Sequence, residues 1–293
     1  FASLIFISSY GQEKVDAAST NAIKKQGLEN SKVMDIAFQL TDVSGPRLTN
    51  SPGYFKAANW AVAELKKWGL TNAALEPWGE FGKSWELKKS YIALTAPYYR
   101  PLIGFPKTWT KGSGGLKHAE IILVKASDSA ALEAYRGKLK DKVVLLYRND
   151  TLKQSFKADA TRRTDESLEK MANATPPAPD TSRRRMVRGM ATMASRLKNM
   201  ATTDGAIAIL SMSPRGVDGT LFVQGGGSYA GKDPENILDI MLAMEDYMSL
   251  VRLANSGYPV KLDVDVETEF SSKDLKGYNV VAEIPGTDPV LKD

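Results

Sequence analysis

Apolar positions recur with two different periods along this chain, and each change of period marks an element. Val33, Ile36, Ala37 and Leu40 fall at helical spacing and predict a short helix over residues 31–40, ended in a loop by Gly45-Pro46-Arg47. Ser51-Pro52 reads as an N-cap followed by proline at the first helical position, where the missing N–H costs nothing. Ala58, Ala61, Leu65 and Trp68 keep one face of that helix apolar, while Lys56, Glu64 and Lys67 face water and Gly69 suits the C′ position. Strands are predicted next over 75–78 and 85–94, the second alternating through Trp85, Leu87 and Lys89.

From Thr95-Ala96-Pro97 the pattern changes to short apolar runs with glycine-rich connections. Strands are predicted at 119–125, 142–147, 206–210 and 221–224, which suggests a compact β-rich domain with a few helices. Residues 149–199 between them are polar and basic, broken by Pro176-Pro177-Ala178-Pro179. Beyond the break Met186, Met190, Met193, Leu197 and Met200 share one helical face. A strand around 237–242, a helix over 245–255 stopped by Gly257, and a strand over 259–269 follow. Near the end Asn279–Ile284 is apolar and β-branched, closed by Pro285-Gly286, and with little alternation it suits a strand covered on both faces.

Gly277–Gly286 resembles the strand that precedes the first metal-ligand strand in secreted zinc aminopeptidases of the glutamate-carboxypeptidase type, enzymes that carry an inserted protease-associated domain. The resemblance extends to Gly45-Pro46-Arg47 through Gly69-Leu70, to Asp204–Ser228 and to Glu245–Val266. It implies an α/β fold: the first elements of a zinc-exopeptidase (phosphorylase/hydrolase-like) sheet domain, interrupted by a β-rich protease-associated-like domain. On that reading residues 1–19 are a signal-peptide remnant and leader, 20–95 the opening of the peptidase domain, 96–261 the insertion, and 262–293 the return into the peptidase domain. In that family the next strand ends in His-x-Asp, so the catalytic and metal-binding residues are expected after Asp293 and none within this chain. The full-length protein is expected to use two zinc ions that activate a bridging water, with a glutamate as general base, and to take short peptides as substrate.

Composition narrows this further. Hydrophobic residues make up 43% and charged residues 25%, ordinary for a globular protein, and the net charge of +5 is dispersed, so no nucleic-acid partner is expected. No cysteine is present, hence no disulfide and no thiolate metal site. Phe1–Ser9 is apolar and turns polar at Tyr10-Gly11-Gln12, the tail of a signal-peptide h-region with a Ser9-x-Gly11 cleavage pattern, or alternatively a buried first strand. Secretion or periplasmic export is the expectation, without a membrane span. A homodimer is left open.

Each candidate for chemistry within the chain meets an objection. His118 is the only histidine, and no Gly-x-Ser-x-Gly elbow accompanies it, so a hydrolase triad is rejected. Asp263, Asp265, Glu267 and Glu269 share one strand face, but residues two apart lie about 7 Å apart, so a solvated face opposite a neighbour's lysines is expected. Gly225-Gly226-Gly227 and Gly112-Ser113-Gly114-Gly115 lack the Lys-Ser or Lys-Thr of a phosphate loop and are expected to be turns. Arg183-Arg184-Arg185 with Arg188 has no accompanying aromatics and reads as a solvated helix start. Two alternatives from other classes stand beside the peptidase reading. One is a non-catalytic, receptor-like protein on the same scaffold; the other is a protease-associated-type interaction module with Met186–Met200 as its partner surface.

Overall fold

A computed structural model describes residues 16–150, 156–158, 160–175, 181–212, 216 and 218–287, with the side chains of 181–192 left aside. The proposed cleavage site and the proline break at 176–179 lie outside these residues. Elements run α1 (Ala17–Glu29), α2 (Val33–Phe38), α3 (Pro52–Lys67), β1 (Thr71–Glu80), β2 (Ser84–Ala96), β3 (Arg100–Pro101), β4 (Gly104–Pro106) and β5 (Lys117–Val124). They continue with α4 (Ser129–Glu133), β6 (Val143–Leu146), α5 (Asp165–Ala172), α6 (Thr181–Asp204), β7 (Ala208–Met212), β8 (Asp239–Leu242), α7 (Met244–Asn255), β9 (Lys261–Ser271) and β10 (Lys276–Glu283). The α/β class expected from the sequence is the class observed. Two compact units form: one from residues up to Leu48 with Pro52–Glu76 and Asn279 onward, the other from Thr49–Ser51 with Pro77–Tyr278.

The first unit holds α1, α2 and α3 with part of β1 and β10. Asp16 caps α1, its carboxylate accepting from the backbone N–H of Ala18 at 2.9 Å and Ser19 at 3.3 Å. That contact holds the Asp16 carboxyl below its usual range, the Ser19 hydroxyl contributing most. The helix expected over 31–40 begins two residues later and runs on as a π-helical stretch, Gln39–Val43. The wider turn has a local cause: the Ser44 backbone N–H and hydroxyl both donate to the Gln39 carbonyl, at 3.2 and 2.7 Å. In α3 Ala57 and Ala58 are buried, and Gly69 takes φ +86°, the left-handed conformation that ends the helix. Trp68, assigned to the apolar face from its spacing, is 54% exposed.

Strands β1 and β10 pair as a two-stranded ladder. The apolar run at 279–284 predicted a strand covered on both faces, and this is corrected: Gly277 is the one buried position in β10. Val280, Val281 and Ala282 therefore have β1 as their strand neighbour among the described residues, and no sheet surrounds them.

In the second unit, among the described residues, eight strands form one mixed sheet in the order β3-β2-β9-β5-β6-β7-β8-β4. Strands β5, β6, β7 and β8 run parallel, and the flanking pairs are antiparallel. β2, which the sequence assigned to the segment before the insertion, is hydrogen-bonded to β9 along most of its length, from Ser84↔Ser271 to Ala96↔Lys261. Successive residues of β6 point to opposite faces, as the strand period requires. Val143 and Leu145 join a cluster with Leu210, Ile240, Leu242 and the α7 residues Tyr247, Leu250 and Val251. Val144 joins the opposite cluster, with Leu132 of α4, Leu197, Met200 and Ala201 of α6, and Ile209. The described part of the methionine face therefore packs on its own sheet and is not a partner surface; Met186 and Met190 lie outside the described side chains.

The strand expected at 221–224 is not formed. Phe222 is 52% exposed, and among the described residues the adjoining pairing is an isolated bridge between Gly225 and Thr108. Gly226 and Gly227 both donate their N–H to the Thr108 carbonyl at 3.0 Å. A Cβ on Gly227 would lie 1.5 Å from the Trp109 carbonyl oxygen, so these glycines serve close backbone approach as well as turning.

Leu242 is fully buried in the sheet and Leu116 is half-exposed on a loop. Leu242→Ala is expected to cost about 2–5 kcal/mol and Leu116→Ala to stay within about 0.5 kcal/mol. Urea unfolding followed by the fluorescence of buried Trp85 and Trp109 checks both.

Candidate functional site

The residues singled out in the sequence separate into ordinary surface contacts. His118 on β5 faces Asp263 on β9 in register, Nδ1 2.5 Å from the Asp263 carboxylate, with the histidine side chain 73% exposed. Glu120, Lys142 and Lys261 surround them in an open depression of about 640 Å³. Lys142 donates to Glu120 at 2.6 Å, which holds the Glu120 carboxyl below its usual range. On the same β9 face Asp265 meets Lys89 at 2.5 Å, and Glu269 meets Lys88 at 3.3 Å. The lysines of β2 are thus the neighbours opposite this acidic face. Gly112 lies against the Val266 carbonyl, where a Cβ would come within 2.4 Å, and Ser113 donates its N–H to the same carbonyl at 2.8 Å.

A second cluster, not singled out in the sequence, is built from the sheet itself. Asp239 opens β8 and is 7% exposed. On one side β4 pairs antiparallel with β8, so the following residue, Lys107, donates its N–H to the Asp239 carbonyl at 2.8 Å. On the other side β7 runs parallel and sets Ile209 level with Asp239, which places Ser211 on the same face two residues on. Lys107 Nζ then lies 2.9 Å from both Asp239 Oδ2 and Ser211 Oγ, and Ser211 Oγ donates to Asp239 Oδ1 at 2.6 Å. β4 is itself held from behind: the buried Asp246 carboxylate takes Arg100 Nη1 and the Ile103 N–H, each at 2.6 Å.

This triangle borders a cavity of about 440 Å³ beneath α6, which Lys198, Arg148 and the Gly225-Gly226 backbone also line. Lys198 donates to the Gly226 carbonyl. Burial pushes its pKa down, opposed by the field of Asp239 and reinforced by that of Lys107. Tyr247 donates its hydroxyl to the Leu146 carbonyl at 2.5 Å, and burial pushes its phenol up.

The chemistry open to these groups is limited. A serine nucleophile needs a base that takes its proton, and the ammonium beside Ser211 is ion-paired to Asp239, with no histidine near. The triangle is a satisfied buried polar network. Among the described residues no three His, Cys, Asp or Glu side chains group as metal ligands would. The single imidazole is engaged by Asp263, and the β9 carboxylates Asp265 and Glu269 are engaged by lysines. These donors do not fit a two-zinc centre. No helix among the described residues is long and apolar enough to cross a membrane. One sequence signal for the cluster existed: Asp239 is a lone carboxylate inside Ile237-Leu238-Asp239-Ile240-Met241-Leu242, and a buried acid needs a partner.

The fold and site define a mixed α/β scaffold whose polar centre is an ion pair and a hydroxyl. No protein-family profile matches the chain, and no curated protein matches it by sequence. Among solved structures it is similar to a peptidase M28 precursor from Shewanella amazonensis SB2B, with a TM-score of 0.56 and 20% identity over 92% of this chain and 54% of that one. It also matches an aminopeptidase from Aneurinibacillus sp. strain AM-1, with a TM-score of 0.44 and 16% identity over 90% of this chain and 51% of that one. BSAP, a zinc aminopeptidase from Bacillus subtilis, matches with a TM-score of 0.45 and 12% identity over 86% and 46%. The first likeness shows a shared fold. The chain spans about half the length of each of these proteins, 54%, 51% and 46%.

Lys107→Met strands the Asp239 carboxylate in the interior and is expected to cost about 3–5 kcal/mol in urea unfolding at neutral pH. Lys198 gives a pH signature of its own. A lysine whose folded-state pKa is depressed burdens the fold while charged, and the burden fades as pH rises from that pKa toward the unfolded value near about 10.4. Relative to Lys198→Met, the wild-type chain is therefore expected to gain stability across that alkaline window. Unfolding midpoints of the two proteins measured in parallel from neutral to alkaline pH check the sign.

Proposed function

We propose that this chain is the leading portion of an exported zinc-dependent metallo-exopeptidase, an aminopeptidase or dipeptidase acting on short peptides. On this reading residues 20–95 and 262–293 belong to the peptidase domain and 96–261 form the protease-associated-like insertion, which walls the substrate cleft and limits access to chain ends. The catalytic residues and both zinc sites lie after Asp293, and residues 1–293 alone are inactive. The observation that carries the reading is the likeness of fold to the peptidase M28 precursor over 92% of this chain.

The donor inventory supports the same division of labour. One histidine, already paired with Asp263, and no cysteine leave residues 1–293 without the ligands a two-metal hydrolase needs. The role left to these residues is to build and position: a sheet, its covering helices, and an ion-paired interior that holds β4, β7 and β8 together. No catalytic step is assigned to any of them.

Zinc content by mass spectrometry and hydrolysis of leucine p-nitroanilide test this reading on two polypeptides: residues 1–293, and the same chain extended by what its gene encodes beyond Asp293. The short chain is expected to carry far less than one zinc per molecule and to show no turnover. The extended chain is expected to bind zinc and to lose activity in chelator. Stoichiometric zinc in the short chain, an extended chain without metal or turnover, or a reading frame that stops at Asp293 would each overturn it.

A further inference from the structure

The cavity beneath α6 carries a charge its surroundings leave unmatched. Its lining includes three cationic side chains, Lys107, Arg148 and Lys198, and one carboxylate, Asp239. Asp239 spends one oxygen on Lys107 and the other on the Ser211 hydroxyl. Arg148 is ion-paired to Asp150, which stands outside the lining, at 2.5 Å. Lys198 remains: half-buried, bonded to the neutral Gly226 carbonyl, and without a carboxylate partner among the described residues. An ammonium has three donors, and desolvating it without an anion is costly. Apolar side chains, Leu197, Met212 and Met241, border the same space.

We propose that this cavity binds a small organic monocarboxylate with an apolar tail, its carboxylate seated on the Lys198 ammonium and its tail against Leu197, Met212 and Met241. One uncompensated charge calls for a monoanion; a phosphate dianion would leave a charge of its own unmatched. A volume of about 440 Å³ falls in the range of small-molecule sites. Burial holds Lys198 below the ordinary lysine range, and an arriving carboxylate offsets that penalty, so the pair forms where each partner gains. The site rests on residues 1–293 alone and does not require the peptidase reading. Two sources share this chemistry: a free fatty or aryl acid, and the C-terminal end of a peptide with an apolar last residue.

Methyl NMR of methionine-labelled 1–293 protein distinguishes them, with hexanoate, N-acetyl-leucine and N-acetyl-leucine amide as probes. Hexanoate or N-acetyl-leucine, or both, are expected to shift the Met212 and Met241 methyl signals, while the amide, lacking the charge, does not. Tighter binding of N-acetyl-leucine than of hexanoate points to a peptide end, and the reverse to a free acid. Lys198→Gln is expected to weaken carboxylate binding by about tenfold or more, Lys198→Arg to restore much of it, and Lys142→Gln, in the distant His118 depression, to leave it unchanged. Absence of any carboxylate-dependent shift in the wild-type protein overturns the proposal whatever the variants do. Equal binding of amide and carboxylate, or full binding by folded Lys198→Gln, overturns it as well.

Discussion

A carboxylate buried at the start of a sheet strand must find a cation and further donors, and Asp239 sets that demand on the second unit. Its two oxygens are met by Lys107 from one flank of β8 and by Ser211 from the other, at 2.9 and 2.6 Å. Meeting it constrains more than two side chains. Lys107 arrives only if β4 pairs with β8 in the observed register, and that pairing is backed by Arg100 and Ile103 on Asp246. Ser211 arrives only if β7 runs parallel with Ile209 level with Asp239. A slip of one residue in either ladder would turn the partner to the other face and strand the charge among leucines. The polar triangle therefore selects register in a sheet whose hydrophobic residues alone would tolerate alternatives.

Elements whose signal is local were legible in the sequence. α3 has its first-position proline and terminal Gly69; α7 has an apolar face and a glycine stop; β6 is a continuous buried run; β9 alternates. The readings that failed depended on the partner a segment would meet. Val280 and Val281 look like interior strand residues, yet β10 has β1 as its partner in a two-stranded ladder. Leu221–Gln224 has the composition of a strand but forms no ladder, because the following Gly225–Gly227 is drawn onto Thr108 and Trp109. Propensity cannot report such competition. Candidate sites followed the same division. The four β9 acids were readable as a solvated face because the period-2 pattern is local. The Lys107, Ser211, Asp239 and Lys198 group was not, since its members lie up to 132 residues apart, and only the isolated acid of β8 hinted at it.

Fold and chemistry separate here along the chain. A scaffold can be shared across proteins whose reactions differ, so the likeness to an M28 peptidase precursor describes how strands and helices are laid out and leaves the reaction to the donors. Those donors are committed. His118 is held by Asp263, Asp265 by Lys89, Glu120 by Lys142, and Asp239 by Lys107 and Ser211. Recruiting any of these carboxylates to a metal would release its cation, His118 from Asp263 and a lysine from each of the others, and for Lys107 that means a largely buried one. These paired groups thus favour persistence of the scaffold over exchange of ligands. Lys198 differs from these groups, because its charge faces a cavity and its hydrogen bond is to a neutral carbonyl. A buried network that is complete stabilises register, whereas a half-buried cation that lacks its counterion marks a place where something else completes it.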